Sequence, residues 1–73
     1  MNEKERKKLE EVLESVRPYI TNSSDLKDAV IVTSKESSNL EDFLEKFKEI
    51  ISDEEDPSMK TDLKIFLNKL ESH

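Results

Sequence analysis

Ser38-Asn39-Leu40-Glu41-Asp42-Phe43-Leu44-Glu45-Lys46-Phe47-Lys48-Glu49-Ile50-Ile51-Ser52 is the stretch that decides the fold. Ser38 and Glu41 have the spacing of a capping box, in which the hydroxyl accepts from an amide three residues on and the carboxylate reaches back. Behind them, Leu40, Phe43, Leu44, Phe47, Ile50 and Ile51 recur at three- and four-residue intervals, which lays one apolar stripe along a helix. This spacing predicts a helix over about 39–52. Downstream, Asp56-Pro57 reads as a second helix start. An aspartate suits the N-cap, and a proline at the first helical position gives up an N–H that has no partner there anyway. Met59, Leu63, Phe66, Leu67 and Leu70 form the stripe of that helix, predicted over about 57–71.

Upstream, Asn2 and Glu5 have the same box-like spacing, and Leu9, Val12, Leu13 and Val16 supply a stripe. A helix is expected over about 3–17, ending there because Pro18 disfavours helical dihedrals in the residue before it. Thr21-Asn22-Ser23-Ser24 reads as a turn and capping cluster. Residues 25–35 carry two signals. Leu26, Ala29, Val30 and Thr33 match a helix face, whereas the β-branched run Val30-Ile31-Val32-Thr33 suits a strand. No other segment could pair with a lone strand, so a short helix is the reading. The fold class is all-α: a small antiparallel bundle of three to four helices, forming a single helical domain over 1–73. Its expected core is Leu9, Val12, Leu13, Val16, Leu26, Val30, Leu40, Phe43, Leu44, Phe47, Ile51, Leu63, Phe66, Leu67 and Leu70.

Composition excludes much chemistry. The 73 residues contain no glycine and no cysteine. Phosphate-cradling loops, dinucleotide fingerprints, nucleophile elbows and EF-hand turns all need glycine where the backbone approaches a ligand. Thiol nucleophiles, cysteine-based zinc sites and disulfides need cysteine. The serines and threonines have no histidine beside them to activate a nucleophile. The one histidine, His73, ends the chain, and a lone imidazole makes no metal site. Asp53-Glu54-Glu55-Asp56 lacks the alternation and central glycine of a calcium loop. Neither a catalytic constellation nor a cofactor or metal is therefore expected, and the chain reads as a non-enzyme. No apolar run is long enough for a membrane span and residues 1–8 contain no apolar h-region, so neither a membrane nor a secretory route is expected. The absence of thiols fits a reducing, cytoplasmic setting.

The net charge is −6, and it is unevenly spread: residues 41–56 hold eight acidic and two basic side chains. Glu41, Asp42, Glu45 and Glu49 share a helix face, and Asp53, Glu54, Glu55 and Asp56 extend the charge into the following loop. Glu41/Glu45 and Glu45/Glu49 are like charges at i,i+4, each costing a few tenths of a kcal/mol on an exposed helix. Such a surface disfavours nucleic acid, whose recognition depends on cations, and favours a basic protein partner. The expected function is a protein-binding module, namely an inhibitor, immunity or adaptor protein. An acidic mimic of nucleic-acid phosphates is the variant of that reading.

A structural homo-oligomer is the alternative. On a helical wheel Ile31 and Val32 point away from the stripe of their helix, and Ile65 lies nearly opposite Leu63 and Phe66. A helix apolar all round is either buried centrally or faces another chain, a second copy included. A chain this short buries a modest core, so association is a plausible source of stability.

Phe43 to Glu55 resembles the end of the second helix and the following loop of acyl carrier proteins, over about a fifth of the chain. The Asp-Ser-Leu motif that holds the carrier's prosthetic group is absent, so the resemblance implies no carrier function. In architecture the chain is similar to small helical bacteriocin immunity proteins, with no shared motif.

Overall fold

The computed structural model describes residues 1–72. They form four α-helices, α1 (Glu3–Val16), α2 (Ser23–Glu36), α3 (Leu40–Asp53) and α4 (Pro57–Ser72), with one 3-10 turn at Arg17–Tyr19 and no strand among them. Residues 25–35 are thus helical despite their β-branched run. Val30 and Thr33 of that run are buried in the bundle, which satisfies the apolar face without any sheet partner.

The four helices meet in one core. Leu9, Val12 and Val16 of α1, Leu26 and Val30 of α2, Phe43, Phe47 and Ile51 of α3, and Leu63, Phe66 and Leu70 of α4 are all buried. Leu13, Leu40, Leu44 and Leu67, also expected inside, pack against this cluster but stay partly exposed. They lie on the flanks of their stripes, where a small bundle runs out of neighbours. At the centre Phe43 stacks on Phe47 with ring centroids 5.2 Å apart, and Phe66 meets the two at 6.4 and 5.3 Å. α1 packs most closely on α4, α2 on α3 and α3 on α4, whereas the α1/α2 seam is the least closely packed of the principal ones. At one end of that seam the N-terminal amine donates to the Ser37 carbonyl at 3.5 Å, so α1 and α2 run antiparallel.

Capping follows the sequence in part. The Asn2–Glu5 box forms, with the Asn2 side chain accepting from the Glu5 amide at 2.8 Å. Glu5 also does a second job: its other carboxylate oxygen accepts from the Leu40 amide at the start of α3, at 2.9 Å. α4 begins as expected, with Asp56 accepting from the Ser58 amide at 3.0 Å.

Three local expectations are corrected. The cap of α3 is Asn39, not Ser38: Asn39 accepts from the Asp42 amide at 2.8 Å, and Asp42, not Glu41, reaches back to the Ser38 amide at 3.0 Å. The helix begins one residue later than a Ser38 cap would set it, which moves the reciprocal acid along by one. Arg17 keeps right-handed helical dihedrals (φ −47°, ψ −45°) although it precedes Pro18. The α-helix ends at Val16, and proline, lacking an N–H, is accommodated in the first positions of the 3-10 turn. Finally, the Thr21–Ser24 cluster does not cap α2, since its N-cap residue Asn22 makes no capping bond from its side chain. A carboxylate from α4 takes over that end of the helix.

Candidate interaction surfaces

That carboxylate is Asp62, which is 2% exposed. Its Oδ1 accepts from the Thr21 amide at 3.1 Å, and its Oδ2 accepts from the Asn22 amide at 2.7 Å and the Asn22 side-chain amide at 3.1 Å. The same Asn22 side chain donates to the Ser58 hydroxyl at 3.1 Å. A buried acid is the usual first suspect for catalysis. Here every oxygen is occupied by a donor of its own chain, so Asp62 is a long-range cap that ties α2 to α4. Among the described residues, no buried side-chain nitrogen or oxygen lacks a hydrogen-bond partner. Sequence reasoning missed Asp62. The available signal was an acid between Met59, Leu63 and Phe66, on the edge of an apolar stripe.

The acidic surface divides into structural and uncommitted members. Asp42 is structural: it accepts from the Ser38 amide and pairs with Lys46 at 3.2 Å. Lys46 also donates to the Glu36 carbonyl, so this acid and base fasten the α2–α3 corner. Glu54 accepts from the Asp56 amide, and Asp56 caps α4. Glu41, Glu45, Glu49, Asp53 and Glu55 are exposed and form no salt bridge among the described residues. Asp42, Glu45, Glu49 and Asp53 follow one another at three- and four-residue steps, a carboxylate stripe about 16 Å long at 1.5 Å per residue.

The Ser38 hydrogen bond, and after it the hydrogen bond from Lys46, lowers the Asp42 pKa below its ordinary 3.8, against an opposing effect of desolvation and with a smaller contribution from the Lys46 charge. A carboxylate depressed in the folded state stabilises the fold fully above its unfolded value, and that contribution is lost as pH falls through the folded value. Asp42→Asn is therefore expected to melt below the wild type at pH 6, with the gap closing below about pH 3.8. Parallel melting curves with a constant gap from pH 6 to pH 3 would contradict this role.

The apolar candidates separate. Ile31 and Val32 are 37% and 55% exposed, so α2 is not the central helix, and these two side chains face outward. The reason is the core itself: Leu26, Val30 and Thr33 already fill the inner face of α2, and Ser37 is buried just past its end. Ile65 is partly buried against the core and lines a shallow groove of about 350 Å³ with Val16 and Tyr19. Ile31 lines a different groove of about 400 Å³, between α1 and α2, with Met1, Leu13 and Val30. That groove continues past Glu10 and Leu13 into an adjoining one of about 540 Å³ beside Arg17 and Lys27. Ile31 and Ile65 thus belong to different surfaces. Among the described residues no three acids, histidines or cysteines converge where they could hold a metal ion. His73 lies outside the described residues. No described helix is long and apolar enough to cross a membrane.

Fold and surface together define a small acidic all-α bundle whose distinctive chemistry lies on its outer faces. The chain belongs to the MJ1579 family, whose model matches residues 6–73. It is 34% identical over 67 residues to the uncharacterized protein MJ1579 of Methanocaldococcus jannaschii, an alignment covering 92% of this chain and 90% of that protein. No solved structure matches the chain.

Proposed function

We propose that this chain is a non-enzymatic protein-binding module, of the inhibitor, immunity or adaptor kind, that acts in the cytoplasm by docking a basic partner on the acidic stripe of α3. The observation that carries the reading is the stripe itself. Glu41, Glu45 and Glu49 stand in two successive like-charge i,i+4 pairs, with no cation of their own chain bridging them among the described residues. An arrangement chosen for stability alone would alternate sign, as Asp42 and Lys46 do. Clustered charge of one sign steers a complementary partner and speeds encounter.

Glu45→Lys separates the two roles. It converts both like-charge pairs into opposite ones, so the folded chain is expected to melt at the same temperature or slightly above. Combined with Glu49→Lys, it is expected to slow association with the partner at least about tenfold at low salt. The test is a capture of partners on the tagged protein at low salt and at about 500 mM salt, with the double variant run alongside. A stoichiometric partner that is lost at high salt and lost by the variant supports the reading. A partner held equally by the variant rules out the stripe. A captured nucleic-acid-binding protein that nucleic acid competes off would make the stripe a phosphate mimic.

A further inference from the structure

We propose that the outer face of α2 is a self-docking surface on which a second copy of this chain lies antiparallel, across a two-fold axis passing between Ile31 and Val32. This surface is separate from the acidic stripe and stands without it. Tyr19, Ile31 and Val32 are large apolar side chains exposed among the described residues, and the last two are these neighbours on α2. They flank the outward ridge of the helix, which runs Ser24, Asp28, Ile31/Val32, Lys35 at three- and four-residue steps. Asp28 and Lys35 are exposed, and neither makes an ion pair or side-chain hydrogen bond among the described residues. They stand seven residues apart, about 10.5 Å along the axis, too far to pair with each other.

Their spacing is what commits the occupant. Asp28 and Lys35 are equidistant from the midpoint between Ile31 and Val32. In an antiparallel copy rotated about that midpoint, Asp28 of one chain faces Lys35 of the other, and the reverse holds at the far end. Ile31 then packs on its own counterpart along one side of the seam, and Val32 on its counterpart along the other. A two-fold interface requires a patch complementary to itself, and this ridge has that property in both charge and apolarity. The antiparallel arrangement also opposes the two helix dipoles. A helix of this length spans about 21 Å, so the contact is smaller than a standard interface of roughly 800 Å² per partner. The dimer is therefore weak, and it is sought in a concentration series that reaches about 1 mM.

Sedimentation velocity on the whole chain, from about 10 µM to about 1 mM at one fixed ionic strength, tests this. The sedimentation coefficient of the wild type is expected to rise across the series. Asp28→Lys and Lys35→Glu each give the ridge one sign throughout, and each variant alone is expected to lose at least about tenfold in self-affinity, because like charges then meet at both ends. An equimolar mixture of the two variants is expected to recover the dimer, since the mixed pair is complementary at both ends. Both substitutions are at exposed positions, and a cooperative melt of each checks that the fold is intact. A wild type that stays monomeric to about 1 mM, variants that dimerise as the wild type does, or a mixture no tighter than its components would each overturn the proposal.

Discussion

Phe47→Ala is expected to leave the chain without a cooperative melt. Phe47 is fully buried, stacked on Phe43 at 5.2 Å and tilted against Phe66 at 5.3 Å, so its ring lies where α3 meets α4. Removing a buried phenylalanine ring costs about 3–5 kcal/mol, the sum of lost transfer energy and the cavity left behind. Native domains hold roughly 0.05–0.15 kcal/mol per residue, which for a chain of 73 residues is about 4–11 kcal/mol in all. The truncation therefore removes most of the stability present at the lower end of that range. Small domains sit at that end because they bury the smallest share of their surface. Phe47→Leu keeps most of the volume and should fold, at a cost near 1 kcal/mol. Circular-dichroism melts of both variants decide the matter. An alanine variant that melts cooperatively within a few degrees of the wild type would show that the aromatic cluster is not what holds the bundle together.

Loss of Asp62 is the second large effect. Asp62→Ala removes the acceptor of three hydrogen bonds, two from the Thr21 and Asn22 amides and one from the Asn22 side chain. Leaving such donors without a protein partner should cost about 2–4 kcal/mol, moderated because water reaches the exposed Thr21. Asp62→Asn is expected to be nearly as damaging, since a carboxamide retains one acceptor oxygen and brings two donors to a place already crowded with N–H groups. Amide hydrogen exchange gives the local readout: Thr21, Asn22 and the first turn of α2 should lose protection before the α3/α4 core does. An asparagine variant with wild-type stability and unchanged exchange would mean that a single acceptor suffices and that the carboxylate has no special part in the bundle.

Much of the bundle was legible in the residues. The stripes of α1, α3 and α4 are periodic enough to give both the helices and the buried set, because a helix face that must leave water marks the chain every three to four residues. The Asn2–Glu5 box and the Asp56-Pro57 start were readable for a related reason: the donor, the acceptor and the helix end all lie within one turn. Ser38 misled by a single position, because Ser38 and Asn39 are both good caps and three residues beyond each stands an acid, Glu41 or Asp42. Choosing between them needs the packing of Leu40 and Phe43, which sets where the helix axis begins. On the surface, the acidic stripe was visible from charge spacing alone. That Asp42 is already engaged was not, because its bond from the Ser38 amide forms only once α3 starts at Leu40 rather than one residue earlier.

By itself, the sequence determined the helices α1, α3 and α4, most of the apolar set between them, the lack of glycine and cysteine and the clustering of negative charge, while it left residues 25–35 open between helix and strand. These are properties of composition and of spacing within a few turns. Only the tertiary structure decided that Asp62 caps a helix about forty residues away and that Glu5 serves two helix starts. It alone decided that Ile31 and Val32 face water while Ile65 sinks into another seam. The physical reason is the same in each case. A partner distant along the chain, or a core that is already full, leaves no mark on local periodicity, so those choices exist only once the helices have packed.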